Sequence, residues 1–227
     1  MKYAQDSDKL LVIWGLWILS VAVITLTCNG LHRLRERAEK DCRRVVWKHC
    51  FCPVSAVVSV GIGVLWFDES CFAGGNVLRV ILISVISGCL LFAAFMDGEC
   101  QAVYNFVWIP SVLAVIGLLF VGWKDCTGAC LWEAFLLPTL QELLFAQMYG
   151  RADCHCFSIC ALTQAALGVP GMFSLLHMLL AYAMLVIVQA IKGNIGTDGR
   201  LVRAVAFIPY ITVSFFIILF FCQIHGR

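Results

Sequence analysis

Two aspartates stand at the edges of long apolar runs: Asp97 in LLFAAFMDGECQAVYNFVWIP and Asp153 in QMYGRADCHCFSIC. An ionisable group at a membrane boundary is costly, so its presence asks for a reason. Two carboxylates brought together cannot both ionise cheaply; one pKa rises and the pair shares a proton. One member then acts as general base on a water while the other protonates a departing group. That chemistry cleaves an amide with no metal and no covalent nucleophile. Taken singly, each Asp also has a structural explanation, because carboxylates at helix ends serve as caps and complement the helix dipole. Gly150, three residues before Asp153, is expected to let the backbone turn tightly into the helix that carries it.

What must position the two acids is a set of membrane helices. Of the 227 residues 62% are hydrophobic and 13% charged, with a mean hydropathy of +0.92, whereas soluble domains carry about a quarter charged residues. A spanning helix needs about 20 mainly apolar residues. Eight segments are candidates: 10–28, 51–67, 80–96, 109–123, 134–149, 155–168, 172–190 and 204–224. The expected fold is therefore all-α and polytopic. The fifth segment holds Pro138, Gln141, Glu142 and Gln147, and the sixth is short with Thr163 and Gln164; segments this polar are expected to be shielded by neighbours and to line the interior.

Charge sets the orientation. With the N-terminus outside, the inside loops 29–50, 97–108, 150–154 and 191–203 hold seven, zero, one and three Lys or Arg, eleven of the sixteen in the chain. The positive-inside rule favours that topology, with both termini outside and Asp97 and Asp153 at the cytoplasmic face at similar depth. The first two helices and their basic loop (1–78) read as an appendage to a six-helix core (79–227). Attraction to anionic lipid explains the loop NGLHRLRERAEKDCRRVVWKHC. Residues 10–28 are followed by no small-residue cleavage site, so no removable signal peptide is expected. Most of the thirteen cysteines, Cys28, Cys89, Cys160 and Cys222 among them, fall in apolar runs and behave there as small hydrophobes.

On these residues the chain resembles the prepilin peptidases, membrane aspartic proteases of the G-x-G-D type, to which the preflagellin peptidases and, more distantly, presenilin are similar. In that family the first catalytic Asp ends a core helix and Pro-Asn follows. Here Asp97 is followed by GECQAVYN, with Asn105 at the matching position and Tyr104 in place of proline. The second catalytic Asp closes G-x-G-D; here the stretch is Gly150-Arg151-Ala152-Asp153, with Ala152 replacing the second glycine and His155 the usual lysine. GRLVRAVAFIPYITVSF resembles the final helix, with Pro209 as its proline. The resemblance covers about 80–220. It implies that Asp97 and Asp153 are catalytic and that the substrates are prepilin- or pseudopilin-like precursors cut behind a short basic leader. No cofactor, metal or nucleic-acid partner is implied. The 29–50 loop has no room for the Cys-x-x-Cys domain of the bifunctional members, so cleavage alone is expected.

Other constellations remain. His49, Cys50 and Cys52, with Cys154, His155 and Cys156, offer thiols and imidazoles near the cytoplasmic face, but Cys-x-Cys is not the common zinc spacing. Cys126 and Cys130 fall in an outside loop where a disulfide is possible. His177 lies mid-span, where it needs a hydrogen-bond partner such as Gln141 or Glu142, or else faces a polar cavity. The rival reading is a non-proteolytic relative or a transport protein, in which Asp97, Asp153, Glu142 and His177 string an ion or proton path across the bilayer.

Overall fold

The computed structural model describes residues 77–122, 128–145, 150–193 and 205–225, with seven isolated helical positions between 15 and 30. Apart from those positions, the expected segments 10–28 and 51–67, the basic loop between them and the 1–78 appendage lie outside the described residues.

Six helices follow in order: α1 (Val77–Cys100), α2 (Trp108–Val121, entered through a 3-10 turn at Asn105–Val107), α3 (Gly128–Leu140, continued by a π turn at Gln141–Phe145), α4 (Arg151–Ala166), α5 (Gly171–Ile191) and α6 (Ile208–His225). They correspond in order to the last six segments expected from the apolar pattern. No strand occurs among the described residues.

Local sequence explains the stops. After α4 comes Leu167-Gly168-Val169-Pro170. Gly168 takes φ +74°, its amide donates to the Ala165 carbonyl and Val169 donates to Gln164, both at 2.9 Å. This is a Schellman ending, sealed by a proline that cannot extend the helix. Gly193 takes φ +67° just past α5. At the end of α1 the left-handed residue is Gln101, φ +52°, whose amide donates to the Asp97 carbonyl at 2.9 Å. A non-glycine there costs about 1 kcal/mol, and the turn directs the chain away immediately after Asp97. Pro138 lies inside α3, where it removes a ladder bond, and the π turn follows within one turn of it.

The chain divides into two compact units, residues 1–92 with 105–121, and residues 93–104 with 122–227. In the first, Gly117 of α2 faces Leu82 of α1 so closely that a Cβ on the glycine would lie 3.2 Å from a leucine methyl, and Phe92 meets Phe106 with ring centroids 6.5 Å apart. In the second, α4 is central, packed against α3, α5 and α6, while α5 and α6 pack on each other. Ten of the sixteen residues of α4 are buried, so the polar sixth segment lies inside, as expected. The fifth does not. Phe135, Leu136, Leu143 and Leu144 are exposed, and among the described side chains of that stretch the buried one is Gln141.

Several polar side chains turn inward, and many large apolar ones turn outward. Ser84, Ser111 and Thr163 are buried and donate to the carbonyls four residues back. Leu113, Phe120, Met172, Leu179, Ile187 and Ile191 are among the exposed apolar residues. Two helices, Leu78–Gly98 and Gly171–Ile191, are long and apolar enough to cross a membrane.

Candidate active site

The start of α4 builds one half of the site. Gly150 is the N-cap, with extended backbone at φ −66°, ψ 151°, a conformation open to any residue. Its expected role in allowing a tight turn is therefore not the one it plays. A Cβ at Gly150 would stand 3.3 Å from Asp153 Oδ2, so the glycine makes room for the carboxylate. Asp153 occupies the third helical position and its Oδ2 accepts the Gly150 N–H at 3.0 Å, the returning half of a capping box. Ala152 lies in the first helical turn with ordinary negative φ, where alanine substitutes for glycine without strain.

The other half is made where α1 ends and α6 begins. Asp97 is in the last turn of α1 and only 8% exposed. Its Oδ2 accepts the Ile208 N–H at 3.0 Å, and the Phe207 amide adds to the contact. The first amides of a helix have no partner within it, and Pro209 supplies none at all. An amide left over at the start of α6 is thus met by a carboxylate from a residue 111 positions earlier. A Cβ on Gly98 would lie 4.0 Å from the Pro209 ring, so the two chain segments meet at that point. This partnership was missed in the sequence. Its signal was Pro209 in AFIPYI, which marks a helix start and hence a cluster of free amides.

Burial raises the Asp153 carboxyl to about 6, the Asp97 charge pushes in the same direction, and the Gly150 amide opposes them. Among the described residues no lysine or arginine pairs with either aspartate. The structure thus brings together the two residues singled out in the sequence, one buried and one partly open to solvent.

A stability consequence follows from the raised Asp153. A carboxyl whose folded pKa lies above its unfolded value favours the fold below about pH 4, and that contribution is lost as pH rises through about 6. Asp153→Asn removes the titration. The variant is expected to be more stable than wild type at pH 8 by about 1–2 kcal/mol, after discounting for partial exposure, and to lose the advantage near pH 4. Thermal unfolding in detergent at the two pH values reads the difference.

Phe157 links the halves. It lies one turn beyond Asp153 on the same face of α4, its ring centroid 5.4 Å from His177 and 5.6 Å from Phe207, and Phe207 immediately precedes Ile208. His177 is 1% exposed and its Nε2 is 2.9 Å from the Ile211 carbonyl oxygen; since a carbonyl only accepts, Nε2 carries the hydrogen. The bond joins α5 to α6. Neither partner expected for His177 is found: Gln141 Nε2 donates to the Met178 sulfur, and Glu142 Oε1 lies 2.7 Å from His155 Nδ1 at a contact about 40% exposed. An ion pair so open to solvent contributes at most about 1 kcal/mol.

Of the thiol and imidazole cluster, His49, Cys50 and Cys52 lie outside the described residues, and Cys154 and Cys156 are fully buried. No group of three or more His, Cys, Asp or Glu able to hold a metal occurs among the described residues. Cys126 and the side chain of Cys130 also lie outside what is described.

The arrangement is suited to moving protons between two carboxyls beside a third, reacting group. Comparison with known proteins adds no relative: no family model matches the chain, and neither a curated protein nor a solved structure matches it.

Proposed function

We propose that this protein is a multi-pass membrane aspartic endopeptidase that removes the short basic leader of prepilin- or pseudopilin-like precursors at the cytoplasmic face. The observation carrying this reading is the pair itself: Asp97 from the end of α1 and Asp153 from the start of α4, close enough for the charge of one to act on the other. A pair that shares a proton supplies both the base and the acid needed for amide hydrolysis. The resemblance of Gly150–Asp153, Asp97 and Pro209 to the motifs of the prepilin peptidases supports the same reaction.

Outward-facing leucine, isoleucine and phenylalanine on α2, α5 and α6 support the bilayer reading, since soluble proteins rarely expose contiguous apolar faces of that kind. Eight spans with the basic loops inside would set the dyad at the cytoplasmic interface, beside a leader that is itself cytoplasmic. A proton path through Asp97, Asp153, Glu142 and His177 draws less support. Glu142 is engaged by His155 near the surface, and His177 by the Ile211 carbonyl.

The test is cleavage of a precursor by the protein reconstituted in lipid, followed across pH. Hydrolysis needs one proton on the pair, so kcat/KM is expected to fall above about pH 6, where the second carboxyl ionises. A rate level to pH 8, or no cleavage of any precursor bearing a basic leader and an apolar helix, would count against the reading.

A further inference from the structure

We propose that the Ile208 backbone amide is the positioning group of the dyad, holding Asp97 as the carboxylate that activates water and leaving the transferable proton on Asp153. This division of labour rests on the proteolytic reading above and goes beyond it, because that reading treats the two acids as equivalent.

The two acids differ in how they are held. Asp97 is the more buried, and its hydrogen bond crosses from one helix to the first amide of another. Asp153 accepts its amide from its own N-cap, three residues away, so that donor moves with it. An N–H at the positive end of a helix stabilises a negative oxygen, and Asp97 has two such amides, from Phe207 and Ile208. The titratable group that feels the Asp97 charge is Asp153 on α4. From α6 and the residue before it come Tyr210, whose hydroxyl lies 3.4 Å from Gln189 Nε2, and the two amides, with no charge. Arg151 at the start of α4 and Lys192 at the end of α5 are exposed and pair with neither acid.

The proton ledger closes with these roles. Asp97 takes a proton from water as the water oxygen bonds to the scissile carbonyl carbon, and Asp153 gives its proton to the carbonyl oxygen. Collapse of the resulting diol returns the Asp97 proton to the departing nitrogen as the C–N bond breaks, and Asp153 recovers a proton from one hydroxyl. The pair ends as it began, with one proton on Asp153.

Ile208→Pro removes the N–H at a position in the first helical turn that accepts proline, while Ile208→Ala keeps the N–H and shortens the same buried side chain. Loss of a donor to the carboxylate makes Asp97 harder to ionise. The acid limb of kcat/KM is therefore expected to move up by about one pH unit in Ile208→Pro, with the limb of Ile208→Ala at its wild-type position. A limb position does not depend on how much protein folds, so a merely structural amide would lower the rate in Ile208→Pro without moving its limb. Equal limbs in the two would overturn the proposal. Should Ile208→Pro not fold, replacing the 207–208 amide by an ester in the full chain removes the same N–H, and its limb decides in the same way. A wild-type protein that cleaves nothing would sink the proteolytic reading instead. Carbon-13 carboxyl titration of Asp97 in the same variants then tests the amide by itself, and an Asp97 titration unchanged in Ile208→Pro would overturn the proposal.

Discussion

On the proteolytic reading, replacing Asp97 or Asp153 with asparagine is expected to lower leader cleavage by about 10³-fold or more, and replacing both to cost no more than replacing one. The reason is the shared proton. Asparagine at 97 leaves no carboxylate to take a proton from water, and asparagine at 153 leaves no acid to protonate the carbonyl, so each change disables the same step. Asparagine preserves shape and can still accept the amides of Ile208 and Gly150, which keeps the loss from being one of folding. Single-turnover rates for wild type, both single variants and the double variant measure the coupling. Independent, multiplying losses, or a single variant retaining more than about a tenth of the rate, would mean that the two residues do not act as one unit.

Phe157→Ala is expected to destabilise the protein by about 3 kcal/mol, while Phe157→Leu costs about 1. The ring is 3% exposed and touches His177 on one side and Phe207 on the other. Truncation leaves a void between α4, α5 and α6. In a bilayer the unfolded reference is itself apolar, so the transfer contribution shrinks and the lost packing dominates; the expected cost therefore sits at the lower end of the usual range for Phe→Ala. Loss of the ring also frees Phe207, which precedes the amide that holds Asp97. The acid limb of the remaining activity should move in the direction expected for Ile208→Pro. Denaturation in detergent reads the stability, and a loss below about 1 kcal/mol would show that the three helices are not joined through this ring.

The legibility of this chain varies by kind of feature. The six helices of 77–225 follow from apolar runs and local punctuation: the Leu167–Pro170 stop after α4 and Pro209 at the start of α6 are written in adjacent residues. Asp97 and Asp153 stand out because each is an acid beside a long apolar run. Contacts between distant residues were not legible. The Ile208 amide meets Asp97 across 111 residues; Pro209 marks the free amides there but not which acid meets them. Mid-span polarity offers Gln141 or Glu142 as the partner of His177, yet Glu142 sits on a π turn and reaches His155, thirteen residues on. The polar content of α3 suggests shielding, but among its described side chains Gln141 is the buried one, while Phe135, Leu136, Leu143 and Leu144 face out.

The most direct measurement is the intact mass of a pilin-like precursor co-expressed with the wild-type protein, with Asp97→Asn and with Asp153→Asn. Loss of the leader is expected with wild type, and its retention with either variant. A precursor left whole by wild type and by Ala152→Gly alike, or trimmed equally by all three proteins, would contradict the proteolytic reading.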